Sequence, residues 1–190
     1  MKKYILASTS PRRRELLKKT GINFEIKAPN FDENIINKVF SYQLVENIAE
    51  NKAISVKKDI NYPAIIISAD TVVINNDIIL GKPKDFDDAL RMLTSLNNKT
   101  HKVVTSVCII DTSFNKKIIK SETSEVTFNN IPIDNLKKYI YEFKPYDKAG
   151  SYGIQELPDN FVKAINGDYE NIVGLPVKML INMIREITNI

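Results

Sequence analysis

The sequence predicts an α/β fold in which helices flank a mixed β-sheet. Residues 64–74, "AIIISADTVVI", are too apolar for a half-exposed strand and predict a central one. The segments "HKVVTSVCIID" and "KIIKSETSEVTF" predict two antiparallel strands joined around Thr112 to Asn115. Helical and strand patterns interleave along the chain without strict βαβ order, which favours a mixed sheet over a doubly wound one.

Local signals place the other elements. Strands are predicted at residues 3–7 and 23–28, at a hairpin around "NND" (75–77) and in "FVKAIN". Capping residues and apolar spacing predict helices from Pro11 to about Lys19, after Ser41, from about Phe86 to Leu96 behind Asp85, from Asp134 to Phe143, and from about Pro176 to Ile187.

Length and composition predict one globular domain spanning residues 1–190. The hydrophobic fraction is 43% and the charged fraction 26%, values typical of ordinary globular proteins. The net charge of +4 comes from lysines spread along the chain, not from a basic cluster. This balance suits a polyanionic small molecule and does not indicate nucleic acid binding.

Cysteine and histidine are scarce. One cysteine, Cys108, excludes an internal disulfide, and with a single histidine, His101, it excludes the usual zinc sites. Cys108 lies in an apolar run and is expected to be a core thiol. No stretch approaches 18 apolar residues, so we expect a cytoplasmic protein without a membrane partner.

The stretch "LASTSPRRRELLKKTG" places positive charge at an unusual point. Ser10 is the expected helix cap and Pro11 the first helical residue, so Arg12, Arg13 and Arg14 occupy the first turn. That helix end already carries about half a positive charge. Either the arginines point into water, or an anion binds there to the backbone N–H groups and the guanidinium groups.

Carboxylates and lysines recur at predicted loops and element ends. Asp70 is expected where the strand "IIISA" ends, Lys82 follows in "LGKP", and Lys52 lies within a helix. Asp32 and Glu33 add carboxylates in a loop. Such a set fits a phosphate chain bound with Mg²⁺ or Mn²⁺, although solvated surface charges would give the same pattern. Neither a P-loop nor a Rossmann fingerprint is present.

Ordered sequence blocks across almost the whole chain resemble those of Maf-type nucleoside triphosphate pyrophosphatases. They are "ILASTSPRRRELL", "FDENI", "AENKA", "SADTVV", "LGKP", "ALRMLTSL", "THKVVTSV", "PYDKAGSYGIQ" and "INGDYENIVGLPV". The resemblance implies an elongated mixed sheet with two lobes and a cleft, as in inosine-triphosphatase-like folds. It also implies hydrolysis of a nucleoside triphosphate to monophosphate and pyrophosphate with a divalent cation, a cytoplasmic house-cleaning role and a homodimer.

The resemblance assigns roles position by position. Asp70 matches the family's proton acceptor, and Glu33 matches a catalytic carboxylate that we assign to metal binding. Either carboxylate could accept the proton, and either could bind the metal. The positions that match phosphate-binding residues are Ser8, Arg12, Arg13, Lys52 and Lys82. Lys52 and Lys82 also match catalytic residues.

Three positions, Arg12, Thr71 and Gln155, match those tied to specificity and resemble the dTTP/UTP branch of the family. Uracil and thymine present an acceptor beside an N3–H donor, which a glutamine amide complements. A loop-stabilising amide at Gln155 is the alternative.

Two departures and three rival functions accompany the resemblance. Asn97-Asn98 stands where the family usually has Ser-Gly, and Phe143-Lys144-Pro145 replaces Gly-Glu-Pro. The family's association with septum formation leaves a non-enzymatic nucleotide-binding regulator as the main alternative. An inosine-triphosphate-type pyrophosphatase and a nucleic acid binder are the others.

Overall fold

A computed structural model describes residues 2–31 and 39–189. Asp32 and Glu33 therefore lie outside the described residues. The strands are β1 (Lys3–Ala7), β2 (Phe24–Lys27), β3 (Ala64–Asn75), β4 (Ile78–Leu80), β5 (Thr100–Asp111), β6 (Lys116–Phe128) and β7 (Val162–Asn166). The helices are α1 (Pro11–Lys18), α2 (Tyr42–Lys57), α3 (Phe86–Leu96), α4 (Ile133–Phe143), α5 (Tyr169–Val173) and α6 (Val177–Thr188), with a 3₁₀ turn at Ala149–Ser151.

The strands form one mixed sheet in the order β2-β1-β3-β5-β6-β7, with β4 paired to β3. β1 is parallel to β2 and β3, and the other pairings are antiparallel. This confirms the predicted α/β class. β5 and β6 have 12 and 13 residues, so at roughly 3.4 Å per residue they extend about 40 Å. These long strands give the sheet its length.

Helices cover the sheet in two groups, which produces two lobes. In the first lobe, α1 and α6 pack on one face of β1, β3 and β5, while α2 packs on the other face. In the second lobe, α3 and α4 enclose a separate apolar core at the far end of β5 and β6. The predicted two-lobed arrangement with a cleft is confirmed.

The cleft lies where the edge of β3 is open. β1 pairs with β3 up to Ile67, and β4 resumes pairing at Val73. Between these positions no described strand covers that edge of β3. Asp70 and Thr71 lie in this interval, in the middle of β3 and opposite Ser106 and Thr105 of β5. The strand predicted over residues 64–74 is confirmed, whereas the other expectation, that the strand ends at Asp70, is wrong, because β3 continues for five residues beyond it.

Most of the local predictions are confirmed. Ser10, Ser41 and Asp85 cap their helices through side-chain oxygens. Asn98 adopts the left-handed conformation at φ 54°, as expected for its turn. The short helix α5 was not predicted. Cys108 is fully buried, and burial raises the pKa of its thiol to about 12, as befits a core residue.

In the part of the chain that the structure describes, no helix is both long and apolar enough to span a membrane.

Candidate active site

Two adjoining cavities fill the cleft. The N-terminal pocket, about 260 Å³, is lined by residues 7–13, Pro29 and parts of the opposite wall. The loop pocket, about 130 Å³, is lined by β3, α5 and residues 147–149 and 152–155. Six residues line both: Ser10, Arg12, Arg13, Lys52, Lys82 and Asp147. Neither cavity alone reaches the roughly 300 Å³ at which small-molecule sites begin, and the six shared residues make the two continuous, so one ligand would span both.

The start of α1 forms one wall of the N-terminal pocket. Ser10 Oγ accepts a hydrogen bond from the Arg13 backbone N–H at 3.5 Å, and Ser8 Oγ accepts one from the Ser10 N–H at 3.1 Å. The first-turn N–H groups and the positive end of the helix therefore lie at the pocket. This is an anion-binding arrangement.

The three arginines of this turn have different environments. Arg14 is exposed, whereas Arg12 crosses the cleft and pairs with Asp147 at 3.1 Å. Arg13 donates to the backbone oxygen of Gly174 at 2.9 Å and to Thr71 Oγ1 at 3.0 Å. Simple solvation thus accounts only for Arg14.

A chain of hydroxyl groups extends from Arg13 into the protein. Thr71 Oγ1 and Thr105 Oγ1 are 2.9 Å apart, and Thr105 Oγ1 donates to the backbone oxygen of Asn171 at 3.0 Å. Gly174 has φ +126°, a backbone conformation that side chains disfavour, and a Cβ there would approach Thr71 and Arg13. α5 and the residues after it therefore orient the Arg13 guanidinium.

Asp70 and Lys52 form a buried ion pair on the other face of β3. Lys52 Nζ donates to Asp70 Oδ1 at 2.6 Å, and each side chain is 5% exposed. Asp70 Oδ2 is also buried but accepts no hydrogen bond in the described part of the chain. Because neighbouring strand residues point to opposite faces, Asp70 and Thr71 reach the same cavity only around the open edge of β3.

Tyr152 forms the floor of the loop pocket and belongs to an aromatic cluster behind it. His101 Nε2 lies 2.7 Å from the Tyr152 hydroxyl, and both rings contact Phe128 edge-on. Burial lowers the pKa of His101 to about 4, so the imidazole is neutral near pH 7. Burial raises the pKa of Tyr152. His101 is therefore a structural residue and not an acid or base exposed to a ligand.

The wall of the loop pocket carries Gln155 and Lys148. Gln155 is exposed and lines the cavity. Lys148 is buried, and its ammonium group lies 2.8 Å from Asp147 Oδ1 and 3.1 Å from Glu156 Oε2. The pocket thus combines an amide, an ammonium group and apolar side chains of β3, β5 and α5.

Comparison with known proteins places this geometry in a family. The family model described as "Maf-like protein" matches residues 3–187. The chain belongs to the Maf-like protein family. A protein of Clostridium botulinum named dTTP/UTP pyrophosphatase is 46% identical over 187 residues, covering 97% of this chain and 98% of the relative. One of the same name from Desulforamulus reducens is 40% identical over 185 residues, covering 97% and 96%.

A solved structure shares the fold. A HAM1 protein from Coxiella burnetii aligns over 100% of both chains with a TM-score of 0.50 and 14% identity. At that identity the likeness concerns the fold alone, and it agrees with the mixed sheet seen in this Maf-like protein.

The Maf-like fold brings together every predicted site residue that the structure describes. The two pockets are lined by Ser8, Arg12, Arg13, Lys52, Asp70, Thr71, Lys82 and Gln155. Glu33, the remaining predicted catalytic and metal-binding residue, lies outside the described residues. The chemical roles of all nine remain predictions.

The described donors fit a hard divalent cation. Asp70 Oδ2 is a buried carboxylate oxygen without a hydrogen-bond partner, and it opens onto the cleft. Mg²⁺ typically takes one or two carboxylates and completes its shell with substrate phosphates and water.

Sequence reasoning missed several residues of this site. Tyr152 and Lys148 reach the cleft only through the folding of the loop after α4, and Thr105 contacts Thr71 only through the pairing of β3 with β5. The family block "PYDKAGSYGIQ" contains Tyr152 and Lys148, which was the one available signal for them.

Proposed function

We propose that this Maf-like protein hydrolyses dTTP and UTP to the monophosphate and pyrophosphate. The observation that supports this most directly is the pairing of a cation-lined pocket with a buried carboxylate, Asp70, that has one oxygen held by Lys52 and the other without a hydrogen-bond partner among the described residues. The pyrophosphatase names of relatives at 40–46% identity support the same reaction.

The triphosphate would bind in the N-terminal pocket. The N–H groups at the start of α1 and the side chains of Ser8 and Arg12 would contact phosphate oxygens, together with Arg13 and Lys82. Binding there supplies the negative charge that makes arginines favourable at this helix end.

Asp70 would act as the proton acceptor. A water molecule attacks the α-phosphorus, its proton passes to Asp70 Oδ2, and the bond from the α-phosphorus to the α–β bridging oxygen breaks. Pyrophosphate leaves with the bridging oxygen and the bonding electron pair. Lys52 fixes the carboxylate through Oδ1, so that Oδ2 faces the cleft.

Asp70 and Glu33 are the residues we propose to hold a divalent cation, Mg²⁺ or Mn²⁺. When bound, such a cation supplies charge neutralisation for the phosphates and for the leaving group. The two carboxylates would divide proton transfer and cation binding between them.

The base would occupy the loop pocket. Gln155 offers a donor and an acceptor on one group, which complements the edge of uracil or thymine. Thr71 is held between Arg13 and Thr105, so we assign it an indirect effect on specificity through the guanidinium. Arg12 lines both pockets and would therefore lie close to both the triphosphate and the base.

Removal of surplus or modified pyrimidine nucleotides in the cytoplasm is the cellular role that we propose. A homodimer is part of the same proposal, as are the absence of a nucleic acid partner and the absence of a membrane partner.

Product analysis tests the reaction. Wild type and Asp70→Asn are incubated with UTP, dTTP, CTP, GTP and 7-methyl-GTP in Mg²⁺ or Mn²⁺. We expect pyrophosphate and monophosphate from UTP and dTTP, and a loss of about a thousandfold or more in kcat for Asp70→Asn. Hydrolysis of none of these nucleotides, with binding retained, would instead support the non-enzymatic regulator.

A further inference from the structure

We propose that Lys148 is a specificity-determining residue, whose ammonium group donates a hydrogen bond to the C4 oxygen of a uracil or thymine base. This inference rests on the proposed function, since it concerns how the same site distinguishes pyrimidines. It adds to Gln155 a second group that reads the base.

The position of Lys148 separates it from the other cations of the cleft. Arg12, Arg13, Lys52 and Lys82 all line both pockets. Lys148 lines the loop pocket alone, and among the described residues it is the one cation that does so. Lys148 therefore belongs to the part of the cleft that would hold the base.

The charges around Lys148 argue against a second phosphate site. Its ammonium group lies between Asp147 and Glu156, and Asp147 also pairs with Arg12. Two cations and two anions alternate in this chain, so their formal charges cancel. A neutral, polar ligand suits such surroundings better than a triphosphate, which needs an excess of positive charge.

The ammonium group also has donor capacity to spare. It carries three N–H donors, of which one bonds Asp147 and one faces Glu156. A third donor is left for a group within the cavity that Lys148 lines. Because Lys148 is 7% exposed, water competes little for that donor.

Close packing fixes the ammonium group in place. A Cβ at residue 153 would lie 2.9 Å from Lys148 Cε and 3.1 Å from Glu156 Oε2. Glycine at this position lets the lysine stem lie against the backbone of the loop. The loop thus wraps around the lysine, next to Gln155.

Hydrogen-bond chemistry gives Lys148 a role that Gln155 does not fill. A glutamine amide rotated by 180° exchanges its donor and acceptor, so Gln155 alone suits either uracil or cytosine. An ammonium group only donates. It pairs with the C4 oxygen of uracil and thymine, and faces the C4 amino group of cytosine with donor against donor.

Calorimetric binding provides the test, without requiring turnover. Dissociation constants are measured in the absence of divalent cations for UTP, CTP and the triphosphate of pyrimidin-2-one riboside, which lacks the C4 oxygen. The proteins are wild type, Lys148→Met, Lys148→Arg as the donor-retaining variant and Glu156→Gln as a matched control. Inorganic tripolyphosphate reports on the N-terminal pocket.

We expect wild type to bind UTP about tenfold or more tightly than either other nucleotide. Lys148→Met should abolish that preference and leave tripolyphosphate binding unchanged, whereas Glu156→Gln and Lys148→Arg should retain most of it. The inference is overturned if wild type shows no preference, if Lys148→Met keeps it, or if that variant weakens binding of all ligands, tripolyphosphate included. Should Lys148→Met fail to fold, the wild-type preference and its retention in Lys148→Arg decide the question.

Failure of the proposed function has a different signature. It would appear as absence of hydrolysis in the product analysis, while the binding preference for UTP persists.

Discussion

The two pockets of the cleft are assembled in different ways. The N-terminal pocket takes much of its lining from consecutive residues, 7–13, at the end of β1 and the start of α1. The loop pocket takes its lining from β3, β5, α5 and the loop after α4, which lie far apart in the sequence. A site for phosphate can be encoded locally, because a helix start supplies donors and charge together. A site for a base depends on tertiary packing.

The pockets also differ in electrostatics. Four cations and Asp147 line both pockets, so the difference lies in what the loop pocket adds. It adds Lys148, which is balanced by Asp147 and Glu156, and the buried Tyr152, which is backed by the neutral His101. The first pocket is suited to charge and the second to shape and hydrogen bonding.

The Lys52–Asp70 pair joins the two pockets, and breaking it should have the largest effect. Lys52→Met leaves Asp70 as a buried carboxylate without its ammonium partner, so we expect a loss of about 3–5 kcal/mol in the free energy of unfolding. The double variant Lys52→Met/Asp70→Asn removes both charges and should recover much of this stability, but not activity. Urea unfolding and pyrophosphate release measure the two quantities. A double variant no more stable than Lys52→Met would show that the unpaired charge of Asp70 is not the main cause of the lost stability.

Acid should weaken the floor of the loop pocket. The pKa of His101 is held near 4 in the folded protein but is 6.5 ordinarily, so the unfolded chain binds a proton first as the pH falls. Stability should therefore decline between pH 6.5 and pH 4, by roughly 3 kcal/mol. Urea unfolding of wild type and His101→Gln across this range isolates the contribution, because other groups titrate in both proteins. If the free energies of unfolding of the two proteins changed with pH in parallel, the predicted contribution of His101 would be contradicted.

Two neighbouring arginines test the N-terminal pocket with the smallest expected change. Arg13→Ala removes the charged hydrogen bonds that we propose Arg13 donates to phosphate oxygens, worth about 1.5–3 kcal/mol, so KM for UTP should rise roughly 10- to 100-fold with the fold intact. Arg14→Ala is the matched control, since Arg14 is exposed in the same helical turn. Steady-state kinetics and circular dichroism provide the readouts. Equal KM values for the two variants would refute a distinct role for Arg13.

Sequence alone predicted the N-terminal pocket well. The Ser10 cap, Pro11 and the arginine run predict by local rules a helix start that carries cations, and the structure confirms the cap and places Arg12 and Arg13 at the pocket. The strands and all helices but α5 were predicted for the same reason, since apolar period and caps are local signals.

The residues of the loop pocket could be predicted from the sequence only in part. Gln155 and Thr71 were identified through family resemblance, while Thr105 was not, because its place opposite Thr71 depends on strand register. Asp70 was placed correctly near the site for an incorrect reason. Its exposure to the cleft comes from the early end of β1, which no signal within β3 itself reveals.

The continuity of β3, β5 and β6 affects how the protein unfolds. Each of these strands is part of both lobes, so neither lobe alone contains a complete set of paired strands. Cutting between the lobes would expose long unpaired edges, which favour aggregation over independent folding. We expect the lobes to melt together in one cooperative transition, and attempts to exchange one lobe between relatives to succeed only when the shared strands are exchanged with it.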